Sequence, residues 1–333
     1  MKQKEFQFHR IHPSILFGMA SDRYAGWVGQ IYSPERYEKE ITRRTHKVGD
    51  KSFAEEVLPV ESVTEYFEHF SLLEIDYTFY RLLLEKDGKP TQNLHVLKNY
   101  RQYMKEGDLV LLKVPQVIIA RRFRRGAGFV ENEAYLNPEI FIKQFYQPAL
   151  EILGSCLNGF IFEQEYHPKN DRFPPGKLAE DLDKFLSEIP KDTRYHIELR
   201  TDAYWSAPVF EVLKKHGIGL VFSRWTWLPP LRKQFAKANK MFFNSGKQTV
   251  IRLMTPLRMS YEESYARTFP FDKMVDGMLD PEMIEDILPI VSEAVEDKFR
   301  VNLILNNRVG GNAPMVAQMI VGKLHREKQP RML

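Results

Sequence analysis

The chain has 333 residues, 43% hydrophobic and 13% aromatic, which is material for one large α/β domain or two small ones. No apolar run reaches the roughly 20 residues of a membrane helix, the start MKQKEFQFHRIHP has no secretory-type apolar segment, and the single cysteine, Cys156, excludes an internal disulfide and a cysteine-based metal cluster. The expectation is a soluble cytoplasmic protein with no membrane partner; the net charge of +4 and pI near 8.8 are too mild to imply nucleic acid by themselves.

Taken in chain order, apolar runs of strand length with β-branched or aromatic content predict eight strands. They cover residues 14–20, 72–79, 109–115, 160–166, 195–200, 219–225, 249–255 and 301–307. Between the first two lies a charged insertion, residues 34–70, that reads as helical. Helical segments follow at 93–104, 138–153, 178–189, 207–217, 281–297 and 313–327, and residues 233–242 read as helix or loop. Alternating strands and helices, with strands of continuous apolar character, predict parallel strands covered by helices. Eight such units favour a (β/α)8 TIM-type barrel over an open doubly wound sheet. No Gly-rich dinucleotide fingerprint follows any strand; the GGNAP at Gly310 lacks the spacing. The chain is thus expected to be a single barrel domain carrying the 34–70 insertion.

In such a barrel, functional groups stand at the carboxyl ends of the strands. The polar residues here follow that polarity: Glu74, Asp76 and Thr78 on strand two, Lys113 on strand three, Glu163, Gln164 and Glu165 on strand four. Glu198 and Arg200 on strand five, Arg252 on strand seven, and Asn306 and Asn307 on strand eight complete the set. In strand five, Tyr195, Ile197 and Leu199 alternate with His196, Glu198 and Arg200, so acid and base share one face. Buried charges must pair with each other or with a ligand. One reading is an internal salt-bridge network. The other is a site for proton transfer beside an anion, with carboxylates as acid or base and guanidinium groups as a fork for phosphate or carboxylate.

The four tryptophans, Trp27, Trp205, Trp225 and Trp227, follow strand ends, as do Tyr80 and Tyr204. Two basic runs, Arg121 to Arg125 and Arg43 to Lys51, read as loops on the same side. A flat aromatic beside cations suits sugars or nucleobases bearing phosphate. Histidine is absent from the strand ends; His196 comes early in strand five and His167 just past strand four. No His-rich zinc site is expected. No cofactor is required, and a metal, if used, would be Mg2+ or Mn2+ on carboxylates such as Glu74, Asp76 or Glu163.

Seven segments carry a family resemblance: GMASDRYAGWVG, LLEIDYTFYR, LKVP, IFEQ, IELRTDAYW, VIRLMTP and LNNRVGGNA, in order along nearly the whole chain. Together they resemble the domain-of-unknown-function 72 family. The resemblance implies a TIM-type barrel and no established activity. By motif position Glu74, Tyr80, Lys113, Gln164, Glu198, Arg200, Arg252, Asn306 and Asn307 match its pattern. Where relatives commonly show Asn, His and Asp, this chain has Asp76 after Glu74, Thr201 after Arg200 and Phe222 before Ser223. The strand-seven motif, often continued by His-Gly, continues with Met254 and Thr255.

These residues predict an enzyme of the hydrolase or lyase kind acting on a small phosphorylated or nucleotide-like anion. Glu198, Glu74 and Lys113 are its expected catalytic groups. Arg200, Arg252, Gln164, Asn306, Asn307, Tyr80, Trp205 and Asp76 are expected to bind substrate. The alternatives are a nucleic-acid-binding barrel, with or without phosphodiester cleavage, and a non-catalytic barrel that binds a metabolite or partner. Nothing in the residues sets an oligomeric state.

Overall fold

The computed structural model describes residues 6–9, 11–37, 39–125 and 128–328. Its centre is a closed barrel of eight strands with surrounding helices, a (β/α)8 TIM-type architecture. The barrel strands are β1 (Ile15–Ala20), β2 (Leu72–Ile75), β3 (Leu109–Lys113), β4 (Leu157–Gln164), β5 (Tyr195–Leu199), β6 (Gly219–Arg224), β7 (Gln248–Leu253) and β8 (Arg300–Leu305). They neighbour one another in chain order, and β8 closes on β1 in parallel, with Ile15 opposite Val301.

The chain forms two compact units, one holding the residues up to Leu73 with Ser223–Lys233 and Ile251 onward, the other Glu74–Phe222 with Gln234–Val250. In the second unit, Phe160 and Phe162 of β4 and Tyr195 of β5 pack against Phe141, Tyr146 and Phe185 of the helical layer. Alternation then turns Gly159, Ile161 and Glu163 of β4, and His196 and Glu198 of β5, to the opposite, inner face. Two glycines make room there. A side chain at Gly159 would crowd Leu111 at 2.9 Å, and one at Gly219, paired in register with His196, would strike its ring.

The segment predicted as one helix over 138–153 is interrupted. Helical turns at Pro138–Phe141 and Gln147–Leu153 flank a π turn at Ile142–Tyr146. Pro148 has no N–H to give to the carbonyl four residues back, that of Gln144. That carbonyl instead accepts the backbone N–H groups of Leu83 (3.0 Å) and Leu84 (3.1 Å). Residues 233–242, read as helix or loop, hold the end of the helix Leu231–Lys237.

In the first unit the charged insertion is not helical throughout. It holds short helices at Pro34–Tyr37 and Val63–His69, and between them an antiparallel hairpin of Thr42–Val48 with Lys51–Val57. Gly49 turns it at φ 59°, which glycine adopts without the steric penalty of a Cβ. Phe53 of the hairpin packs on Tyr265 and Phe269 beside the helix Tyr261–Thr268. Tyr265 Oη donates to Glu55. The second basic run is also a hairpin, Arg122–Arg125 with Gly128–Glu131, and not a loop. The side chains of Arg124 and Arg125, and residues 126–127, lie outside the described ones.

Candidate active site

Four of the predicted groups meet on the inner face of the second unit. Glu163 and Glu198 are register partners on β4 and β5, so two carboxylates stand side by side at the carboxyl ends of their strands. Lys113 Nζ lies 2.7 Å from Glu163 Oε2, and an Arg200 terminal nitrogen lies 2.8 Å from the same oxygen. Arg200 Nε stands 3.5 Å from Glu198 Oε1. Glu163 is 4% exposed and Glu198 is fully buried. Charge of this density out of water is held by its pairing: each ion's desolvation costs several kcal/mol and is offset only by close partners.

The turn after β2 supports Lys113. Thr78 Oγ1 donates to the Lys113 carbonyl at 2.7 Å, and the ammonium stands 4.1 Å from the centroid of the Phe79 ring. Phe79 in turn meets Tyr80 edge-on, with centroids 5.5 Å apart, and Tyr80 is 80% exposed. Strand β2 stops at Ile75, short of the predicted end, so Asp76 and Thr78 do not alternate with Glu74. Asp76 opens the 3-10 turn Tyr77–Phe79 and is half-buried, while Glu74 is fully buried on the strand.

Beside this centre is a network that sequence reasoning missed. His167 Nε2 stands 2.7 Å from Glu165 Oε1, and His167 Nδ1 lies 3.2 Å from the Gln164 amide nitrogen and 3.1 Å from Tyr204 Oη. The His167 N–H donates to Thr201 Oγ1 at 2.9 Å, and the Arg121 N–H to Glu165 Oε1 at 3.1 Å. Burial pushes the Tyr204 hydroxyl up from its ordinary pKa. The loops after β3, β4 and β5 are thereby tied together, and Gln164 is held within the tie. Its signal in the sequence is Glu163, Glu165 and His167 at alternate positions, where only the first belongs to the inner face of the strand.

Trp205 is not at an open rim. It is buried, its indole N–H donates to the Leu199 carbonyl at 2.9 Å, and its ring packs on Phe210 and Phe222. The remaining predicted residues belong to the first unit. Arg252 is fully buried on β7. Asn306 Oδ1 accepts the Arg308 N–H (3.1 Å). Asn307 Oδ1 accepts the indole N–H of buried Trp27 (3.1 Å) and the Ala313 N–H (2.9 Å), which fixes the last strand-to-helix connection. Of the other tryptophans Trp225 is half-buried and Trp227 is 50% exposed.

Three arginines of the basic runs are paired with acids. Arg43 pairs with Glu56 and Arg44 with Glu55 across the first hairpin, both at 2.8 Å, and Arg122 pairs with Asp171 at 2.7 Å while lying over the Phe129 ring. Among the described residues no three His, Cys, Asp or Glu side chains are grouped to hold a metal ion, and no helix is long and apolar enough to cross a membrane.

A family model described as protein of unknown function DUF72 matches residues 16–332. The chain belongs to the DUF72 family. A solved DUF72 family protein from Enterococcus faecalis V583 is similar over 94% of this chain and 95% of that one, at 15% identity and a TM-score of 0.55. Another from Thermotoga maritima MSB8 is similar over 94% and 99%, at 12% identity and a TM-score of 0.53. At such identities these likenesses concern the fold. No curated protein matches the chain. Positions where this DUF72 chain departs from the motifs have local structural work. Thr201 caps His167, Phe222 packs on Trp205 and Phe235, and Met254 and Thr255 both donate backbone N–H groups to the Arg224 carbonyl.

Proposed function

We propose that this DUF72 protein is a cytoplasmic enzyme of the hydrolase or lyase kind that binds a small phosphorylated or nucleotide-like anion and works by carboxylate acid/base chemistry. The observation that carries the reading is the convergence of Lys113 and Arg200 on one oxygen of Glu163, beside Glu198. An ammonium has three donors and a guanidinium five, so two cations fixed by a shared carboxylate oxygen form a pair able to orient an incoming anion. Glu198, next to Arg200 and sheltered from water, is placed to give or take a proton on that anion's leaving group. Glu74 is its partner, and Gln164 orients the substrate through the amide that His167 holds.

The chemistry needs no cofactor of its own. A Mg2+ or Mn2+ on Glu163 would have to displace two cations already there. The reading of the protein as a nucleic-acid-binding barrel gains nothing from Arg43, Arg44 and Arg122, each of which faces an acid.

The test is turnover of a panel of phosphomonoesters, phosphodiesters and nucleoside phosphates, with products identified by mass spectrometry. Glu198→Gln should lose at least a hundredfold in rate, the scale of general acid/base catalysis, with little change in melting temperature. A collapse of stability, with no turnover by the native chain on any member of the panel, would identify the charges as a structural network instead.

A further inference from the structure

Tyr80 is the most exposed of the large hydrophobic side chains among the described residues. It stands on backbone that is pinned from both sides. Thr78 Oγ1 bonds the carbonyls of Ile75 (3.2 Å) and Lys113 (2.7 Å), and Asn93 Nδ2 bonds those of Tyr77 (3.1 Å) and Arg81 (2.9 Å). Tyr77 packs parallel to Tyr100 with centroids 6.2 Å apart, and the Tyr80 N–H closes the turn on the Tyr77 carbonyl. On a turn this constrained the ring nevertheless points to solvent and forgoes the burial that favours an aromatic side chain.

The same turn leads to the charged centre. From the Tyr80 ring it is 5.5 Å to the Phe79 centroid, and from there 4.1 Å to Lys113 Nζ, itself paired with Glu163. The ring therefore lies no farther from the ammonium than those two steps allow, a gap that a nucleoside monophosphate bridges between its phosphate and its base. Little entropy is lost when a ligand stacks on a preformed aromatic face, and any base offers a π-face to it.

We infer that the ligand of this site is a nucleoside monophosphate or a close analogue, its phosphate on Lys113 and Arg200 and its base stacked on Tyr80. This rests on the anion-binding reading above and adds the ring. Titration calorimetry of the full chain with AMP, ribose 5-phosphate and inorganic phosphate separates the two. AMP should bind about tenfold or more tightly than ribose 5-phosphate, the gain expected of one base–aromatic stack. Tyr80→Ala should erase that gain and leave the phosphate affinity as it was, and Tyr80→Phe should keep it. If AMP binds no better than ribose 5-phosphate, or Tyr80→Ala keeps the difference, the stacked base is overturned while the anion site stands. If none of the three probes binds, the anion site itself is overturned, and the inference with it.

Discussion

Glu163 shows how much depends on one atom. Its Oε2 faces both Lys113 and Arg200, so removing its charge leaves the buried Lys113 and the half-buried Arg200 against each other with their shared anion gone. Glu163→Gln should lower unfolding stability by about 3–5 kcal/mol, the range for a broken buried pair. Lys113→Met, which leaves Arg200 to neutralise Glu163, should lower it less; urea midpoints of the two variants decide. A second residue-scale prediction concerns Asp192, which leads into β5. Burial alone would raise its carboxyl pKa, but the Arg194 fork at 2.9 and 2.6 Å, the Arg194 N–H and the Tyr146 hydroxyl at 3.0 Å outweigh burial and hold it below the usual range. A carboxyl whose folded pKa lies below its unfolded value of about 3.9 stabilises the fold fully above that value and loses the contribution as pH falls through the folded one. Asp192→Asn should therefore cost about 1–3 kcal/mol at pH 7. The gap from wild type should hold down to about pH 5 and narrow below pH 4 in melting curves. Sequence alternation brought Glu198, Arg200 and Lys113 to the strand ends correctly, but it named Glu163, Gln164 and Glu165 together. Only the packing of Phe160 and Phe162 on the helical layer decides that Glu163 is the inward one.

At the level of elements, the eight strands were readable because strands buried on both faces read as unbroken apolar runs. Their ends were less so. The predicted 72–79 strand stops at Ile75, where the chain turns under Thr78 and Phe79, because hydroxyl and aromatic residues suit a strand and a 3-10 turn alike. The hairpin at Thr42–Val57 was misread as helix. Its charged residues look solvated at either periodicity, and its cross-strand Arg–Glu pairs cannot be seen until the register is known. The signal that could have found it is Gly49 between two alternating runs. Gly49→Ala should cost about 1 kcal/mol, since φ is 59° and the new methyl would stand 3.1 Å from Glu262 Cγ. A shift in urea midpoint with unchanged slope is the expected signature.

For the molecule as a whole, a chain of +4 net charge whose described surface arginines largely face acids has little field to draw a polyanion. Fluorescence anisotropy with single- and double-stranded oligonucleotides should show no saturable binding at physiological salt. Tight binding that weakens steeply between 50 and 200 mM salt would restore the nucleic-acid reading. The barrel and its polarity were legible because repeated strand–helix units leave few topologies. The Glu165–His167–Tyr204 tie was not, since it joins loops whose approach only the closed fold sets. The break at Pro148 carries a consequence for the segment that bonds to it. By setting the Gln144 oxygen loose, an imino acid in the outer layer moors the strand of chain just downstream of Tyr80. Straightening that helix would slacken the mooring, so the firmness of the exposed phenol is written into a proline of the helical layer.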